Sequence, residues 1–201
     1  MYDVSEKIFF NASNHPELSN FYQQKMIMDG VTWYHVEGYY QARKAYDDPS
    51  VVRNIATMPK PSDARRAGAA HVMGQEFLKT WNSGLKVHVM IRALLVKFTS
   101  SDACNRKLVS TGNAELLELS SWDAFWGTGK DGSDKNVLGK CLMKVRGVVG
   151  APVMIQGIVS ASYSGIANPL SSENVGATFR FCAPTKTAHE YAKPVYIGFV
   201  D

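Results

Sequence analysis

Hydrophobic and polar positions along this chain change period several times, and each change marks an element. Ile8, Phe9 and Phe10 form a short aromatic strand, followed by a polar loop over residues 11–20. A second extended segment, residues 25–33, is interrupted by Asp29-Gly30, a pair that favours a hairpin turn. A helix then starts near Val36 and carries Tyr39-Tyr40-Gln41-Ala42-Arg43-Lys44. Two more helices are predicted over 50–57 and 62–74. The second is announced by Pro61-Ser62-Asp63, which supplies a capping side chain and an acid at the positive end of the dipole. The most regular helical period runs over 85–98, where Lys86, Met90, Leu94 and Lys97 or Phe98 recur at steps of three and four, so this is the predicted central helix. A short helix is expected at 104–109, and residues 116–119 fit strand and helix equally. Asn136 is placed to cap a helix through Arg146.

After Arg146 the grammar changes. Runs at 153–160, 177–182 and 195–200 read as strands between Gly, Ser, Asn and Pro clusters, and residues 160–172 have the composition of a mobile loop. The chain thus divides into a mainly α domain over 1–146 and a β-rich extension over 147–201, packed on the same domain.

Composition narrows the class. With 201 residues, 45% hydrophobic and 20% charged, the chain is an ordinary globular sequence, long enough for one sizeable core. A net charge of +4, spread along the chain, suits a phosphate-bearing ligand better than a cationic one and does not indicate dedicated duplex binding. Cys104, Cys141 and Cys182 lie far apart with no CxxC pair, which predicts neither a zinc site nor a disulfide framework and points to a reducing, cytoplasmic compartment. No apolar run approaches the roughly 20 residues that span a bilayer, and the first residues do not read as a leader, so a soluble, unprocessed chain is expected.

Two stretches carry candidate chemistry. In Trp33 to Lys44 a single carboxylate, Glu37, stands among aromatic residues, the setting that lifts a carboxyl pKa towards neutrality. Trp33, Tyr39 and Tyr40 themselves read as core. In Ser121 to Gly139 an acid, Asp123, precedes Trp126 by three residues, and a glycine-rich loop feeds a helix start whose N–H groups would suit an anion. That spacing is neither a P-loop nor a dinucleotide fingerprint.

The ordered set Phe9-Phe10, Leu18 to Phe21, Gly30, Trp33, Glu37, Tyr39 to Ala42, Lys44, Ala64, Gly68, Trp81, Lys86, Met90, Lys97-Phe98, Thr111-Gly112, Asp123, Trp126-Gly127, Gly132, Asn136, Leu138-Gly139, Leu142-Met143 and Arg146 resembles the NADAR (YbiA-like) family. The resemblance covers residues 9–146. It implies a YbiA-like fold, orthogonal helices with a small β element, acting as an N-glycosidase on the bond between a ribose anomeric carbon and nitrogen. Substrates implied are phosphorylated ribosylaminopyrimidines of riboflavin synthesis, or ADP-ribose attached to guanine, including guanine within nucleic acid. Glu37 and Asp123 would be the catalytic carboxylates. Asn20, Phe21, Lys44, Trp81, Lys86, Trp126, Gly127 and Asn136 would bind substrate. No metal, cofactor or membrane is implied.

The residue chemistry agrees with that assignment. N-glycoside cleavage passes through an oxocarbenium-like state, so one carboxylate can stabilise the sugar or activate water while another group protonates the departing nitrogen. Trp81 and Trp126 are suited to stacking on a planar base, worth roughly 1–3 kcal/mol per base. Lys44 or Lys86 is suited to a ribose phosphate. Lys86 and Lys97 read equally well as helix lysines with their stems on apolar surface, and Asn136 as a cap alone.

The chain departs from the family pattern in three places. Gly38 stands where the family has a histidine directly after the first glutamate, and His35 precedes that glutamate by two residues, a spacing that on a helix would point its ring away. An arginine-rich stretch before the tryptophan is replaced by Val72-Met73-Gly74-Gln75-Glu76-Phe77. The tail has no counterpart in compact members. A non-catalytic module that senses an ADP-ribose-like or NAD-type ligand is the rival reading that Gly38 keeps open.

Overall fold

The computed structural model describes residues 6–150, so the runs expected at 153–160, 177–182 and 195–200, the loop at 160–172 and Cys182 lie outside the described residues. Within them the chain is mostly helical, with two small two-stranded sheets. Strand β1 (Lys7–Phe10) pairs in parallel with β4 (Glu115–Glu118), Lys7 opposite Glu115 and Phe10 opposite Glu118. Of the ambiguous 116–119 segment, residues 116–118 are therefore strand, decided by a partner more than a hundred residues away. Strands β2 (Met26–Met28) and β3 (Val31–Trp33) form an antiparallel hairpin around Asp29-Gly30, whose φ angles of 54° and 73° are both left-handed, as the tight turn demands.

Helix α1 (Val36–Ala42) follows, and all seven of its residues are buried. The fold is built around it: α2 (Pro49–Ala56), α3 (Pro61–Ala70) and α5 (Lys86–Ser100) pack against it, and α5 carries a second buried face that meets α7 (Val137–Val149). The central position predicted for α5 is thus shared with a helix too short to show a period. The helix expected over 62–74 ends at Ala70, where His71 turns extended. Its first turn holds Pro61 and Asp63, but the cap position is Lys60 and no side chain caps it. A separate helix α4 (Gln75–Thr80) runs through a π turn, Trp81–Leu85, into α5, with Gly84 at φ 138° absorbing the change. Helix α6 (Asp102–Val109) is capped by Ser101, which accepts from the Cys104 N–H.

Polar ties fix these pieces. Arg92 on α5 reaches both Asp29 oxygens, at 3.1 and 2.5 Å, and the Tyr39 hydroxyl, which itself donates to Asp29 at 3.0 Å. Burial pushes the Asp29 carboxyl up, but Arg92 and Tyr39 outweigh it and hold the group below its ordinary value. Arg146 on α7 donates to Thr111 Oγ1 and the Ala114 carbonyl, tying α7 to the turn that leads into β4. Lys97 on α5 is completely buried, donates to the Ser19 carbonyl at 2.7 Å, and has its ammonium near the rings of Tyr22 and Phe98. No helix among the described residues is long and apolar enough to cross a membrane.

Candidate active site

The residues that converge come from six parts of the chain. A cavity of about 220 Å³ is lined by Asn20 and Phe21 before β2, Glu37 and Gln41 on α1, Lys44 beyond it, Arg65 on α3, Glu118 at the end of β4, and Asp123 with Trp126 in the following loop. Among the described residues no group of His, Cys, Asp and Glu side chains could hold a metal ion.

Glu37 is buried at the first turn of α1. Its N–H donates to the Asn20 carbonyl at 3.2 Å, and its Oε1 accepts from Gln41 Nε2, one turn on, at 2.7 Å. Burial pushes its carboxyl up from the ordinary value, while Gln41, Arg65 and Lys44 oppose that rise. Burial in turn lowers Lys44. Asn20 is also buried, and its Oδ1 finds no partner among the described residues, leaving an acceptor free for an N–H or O–H of a ligand.

Asp123 turns its own loop. Its Oδ1 accepts from the Phe125 and Trp126 amides at 3.0 and 2.8 Å, which fixes the Trp126 ring beside the cavity. Trp126 meets Tyr40 edge-on at 5.5 Å, and Tyr40 rests against Trp81 at 5.3 Å. Trp81 is therefore a buried support behind the lining. The cavity thus collects Asn20, Phe21, Glu37, Lys44, Asp123 and Trp126, while four expected binding residues stand elsewhere. Lys86 holds its ammonium 3.8 Å from the centre of the Phe125 ring and bonds Asn82. Gly127 is buried, and a side chain there would run into Ser120.

Asn136 holds the N-cap position of α7 but makes no side-chain cap bond, and it is not among the residues lining the cavity. It takes a left-handed conformation, φ 47°, and its side chain bridges β4, accepting from Glu118 N–H at 3.0 Å and donating to the Leu116 carbonyl at 2.8 Å. The N–H groups expected to be open to an anion are already used: those of Asn136, Val137 and Leu138 donate to the carbonyls of Gly127, Phe125 and Trp126.

Glu118 and Arg65 are functional candidates that reading the chain alone passed over. Glu118 has its backbone clamped on both sides, by Asn136 Oδ1 and by Thr128, whose N–H and hydroxyl both donate to its carbonyl at 2.9 Å. Its side chain faces the cavity. Burial, then the charges of Asp123 and Glu37, push its carboxyl up to about 7 against the pull of Arg65. The detectable signal was an acid at the C-terminal end of a short strand, a weak one. Arg65 is an exposed helix residue in sequence terms and becomes a cavity cation only because α3 packs on α1.

The fold and site define a family. The chain belongs to the NADAR domain family, whose model matches residues 8–149. It is 37% identical over 124 residues to the chloroplastic riboflavin biosynthesis protein PYRR of Zea mays, covering 59% of this chain but 20% of that one. A riboflavin biosynthesis protein of Vibrio vulnificus is 35% identical over 71% of this chain and 38% of its own length. This chain therefore spans well under half the length of these two relatives. The N-glycosidase YbiA of Escherichia coli is 33% identical over 73% of this chain and 89% of its own length. The solution structure of E. coli YbiA superposes with a TM-score of 0.65 at 31% identity, covering 77% of this chain and 88% of that one.

Proposed function

We propose that this chain is an N-glycosidase that hydrolyses the ribose–nitrogen bond of a nucleotide-like substrate. The observation that carries the reading is the convergence of Glu37 and Asp123, 86 residues apart in sequence, on one cavity with an aromatic ring and two cations in its wall. The relatives named as riboflavin biosynthesis proteins and as N-glycosidases support the same reaction class. The substrate is a ribosylaminopyrimidine 5′-phosphate, with ADP-ribosylated guanine as the second candidate.

In this reading the base lies along Trp126 and the ribose sits among the carboxylates. Lys44 and Arg65 take the phosphate, Arg65 as a planar fork and Lys44 as a point charge. The unpaired Asn20 oxygen accepts from a sugar hydroxyl or an amine. As the C1′–N bond lengthens, positive charge grows on the sugar, and Glu37 and Asp123 stabilise it from the cavity wall. Glu37 takes the proton of the attacking water.

The protein and its Glu37→Gln variant, incubated with each of the two substrates, test this. Release of ribose phosphate or ADP-ribose by the wild type, reduced about 10²–10⁴-fold in the variant, is expected. Tight binding without release from either compound would favour the ligand-sensing module, and full-rate release by Glu37→Gln would remove that residue from the mechanism.

A further inference from the structure

Three carboxylates face one cavity, and their hydrogen-bond donors are distributed unequally. Asp123 Oδ1 accepts two backbone N–H bonds. Burial pushes Glu37 up, but its Oε1 accepts from Gln41, and Arg65 and Lys44 nearby also support its anion. The Glu118 carboxyl accepts none among the described residues, although its main chain is held at both N–H and C=O. Burial raises both Glu37 and Glu118, and of two such acids the one whose anion has fewer donors holds its proton more readily.

Building on the N-glycosidase reading, we infer that Glu118 is the general acid of the reaction: it carries the proton that the departing nitrogen receives, while Glu37 stays ionised to accept a proton from water. The groups facing it agree with this division. Glu37 comes from α1, Asp123 from the loop after β4 and Arg65 from α3, two like charges against one opposite charge.

Burial and those like charges hold the Glu118 proton up to about 7, inside the range where an acid is both protonated and able to give its proton away. The step balances. The C1′–N bond breaks with its electron pair going to nitrogen, which takes the Glu118 proton. Water oxygen bonds to C1′ and gives one proton to Glu37. That proton returns to Glu118 through solvent, leaving one water consumed and no net change in the protein. The rigid clamp by Asn136 and Thr128 gives the carboxyl a fixed origin from which to reach the leaving group.

A leaving group that needs no proton separates this role from a structural one. Wild type, Glu118→Gln and Glu118→Asp are assayed across pH on a ribosylaminopyrimidine 5′-phosphate, whose nitrogen must be protonated, and on nicotinamide ribotide, whose pyridinium departs neutral. Glu118→Gln should lose about 10²–10⁴-fold on the first compound and at least tenfold less on the second, and should lose the alkaline limb of the pH profile. Glu118→Asp should keep that limb at a reduced rate.

An equal fall on both compounds, or an alkaline limb that persists in Glu118→Gln, overturns the assignment. If the wild type cleaves only the first compound, the alkaline limb decides. A carboxyl 13C resonance that titrates near neutrality and disappears in Glu118→Gln is expected whether or not turnover is seen, and its absence also overturns the assignment. Release from neither compound, with that resonance present, brings down the glycosidase reading and the general-acid role with it, while leaving the protonated carboxyl standing.

Discussion

The His35 ring lies directly against Gly38: the Gly38 N–H donates to His35 Nδ1 at 2.8 Å, and a Cβ on Gly38 would come within 3.0 Å of the ring. His35 is the N-cap of α1, in extended backbone, and its Nε2 meets the Met58 carbonyl at 3.2 Å. Helical spacing therefore does not apply to it. Its ring takes the space that a side chain at position 38 would occupy and stays out of the cavity.

Gly38→His should accordingly destabilise the protein by about 2 kcal/mol or more, since two rings compete for one site. His35→Ser keeps a capping oxygen and clears that site, so the double variant should recover over half the loss. Denaturant titration of the four proteins gives the coupling. Simple addition of the two single effects would show that the rings do not compete.

Gly68 on α3 lies so close to Gln41 that a Cβ there would overlap its side chain. Gly68→Ala should cost about 1–3 kcal/mol of stability and lower kcat, because Gln41 must leave Glu37. Gln41→Met removes the same hydrogen bond without the overlap. It should match the fall in kcat with a smaller loss of stability, measured by kinetics and melting on the same samples.

Glu118 keeps its proton to about 7 in the fold and releases it near its ordinary value of 4.5 once unfolded. Between those values the native state binds the extra proton, so this group's contribution to stability is present below about 4.5 and is lost as pH rises through 7. Glu118→Gln carries no such titration. Its stability relative to wild type should therefore grow between pH 4.5 and 8, by on the order of 1–3 kcal/mol. Urea unfolding at the two pH values checks it, and an unchanged difference would mean an ionised Glu118.

Lys97 behaves in the opposite sense. Burial lowers its amine from 10.5 to about 7, with Glu17 and Cys104 as the ionisable groups facing it. Over that window the unfolded chain binds more protons, so stability should rise with pH. Lys97→Met should flatten that rise. It should also raise KM, because the Ser19 carbonyl loses its donor and the Asn20 and Phe21 segment of the wall loosens.

Local chemistry explains what could be read from the chain. Asp29-Gly30 demanded a left-handed turn, Val36 began a helix, and residues 85–98 kept one period long enough to be seen. Glu37 and Asp123 stood out because their neighbours were aromatic or glycine-rich. What was missed depends on packing over distance. Helix α4 has no buried residue and ends in a π turn, so its pattern carries little signal. Lys86 looked like a phosphate ligand until Phe125, from another loop, came to lie beneath it. Glu118 acquires its setting only when β4 pairs with β1 and Asn136 closes over it.

The parallel pairing of β1 with β4 also bears on when the cavity is completed. Strand β1 is synthesised before β4 and must wait for more than a hundred further residues before its partner exists. Such long-range closure is slow relative to local helix formation. Helices α1 to α5 already bring Glu37 and Arg65 together, whereas Glu118 and Asp123 arrive with the last fifty described residues. A chain that ends before β4 thus holds one of the three carboxylates, and in refolding experiments ligand binding by the cavity should return last, after helical circular dichroism has recovered.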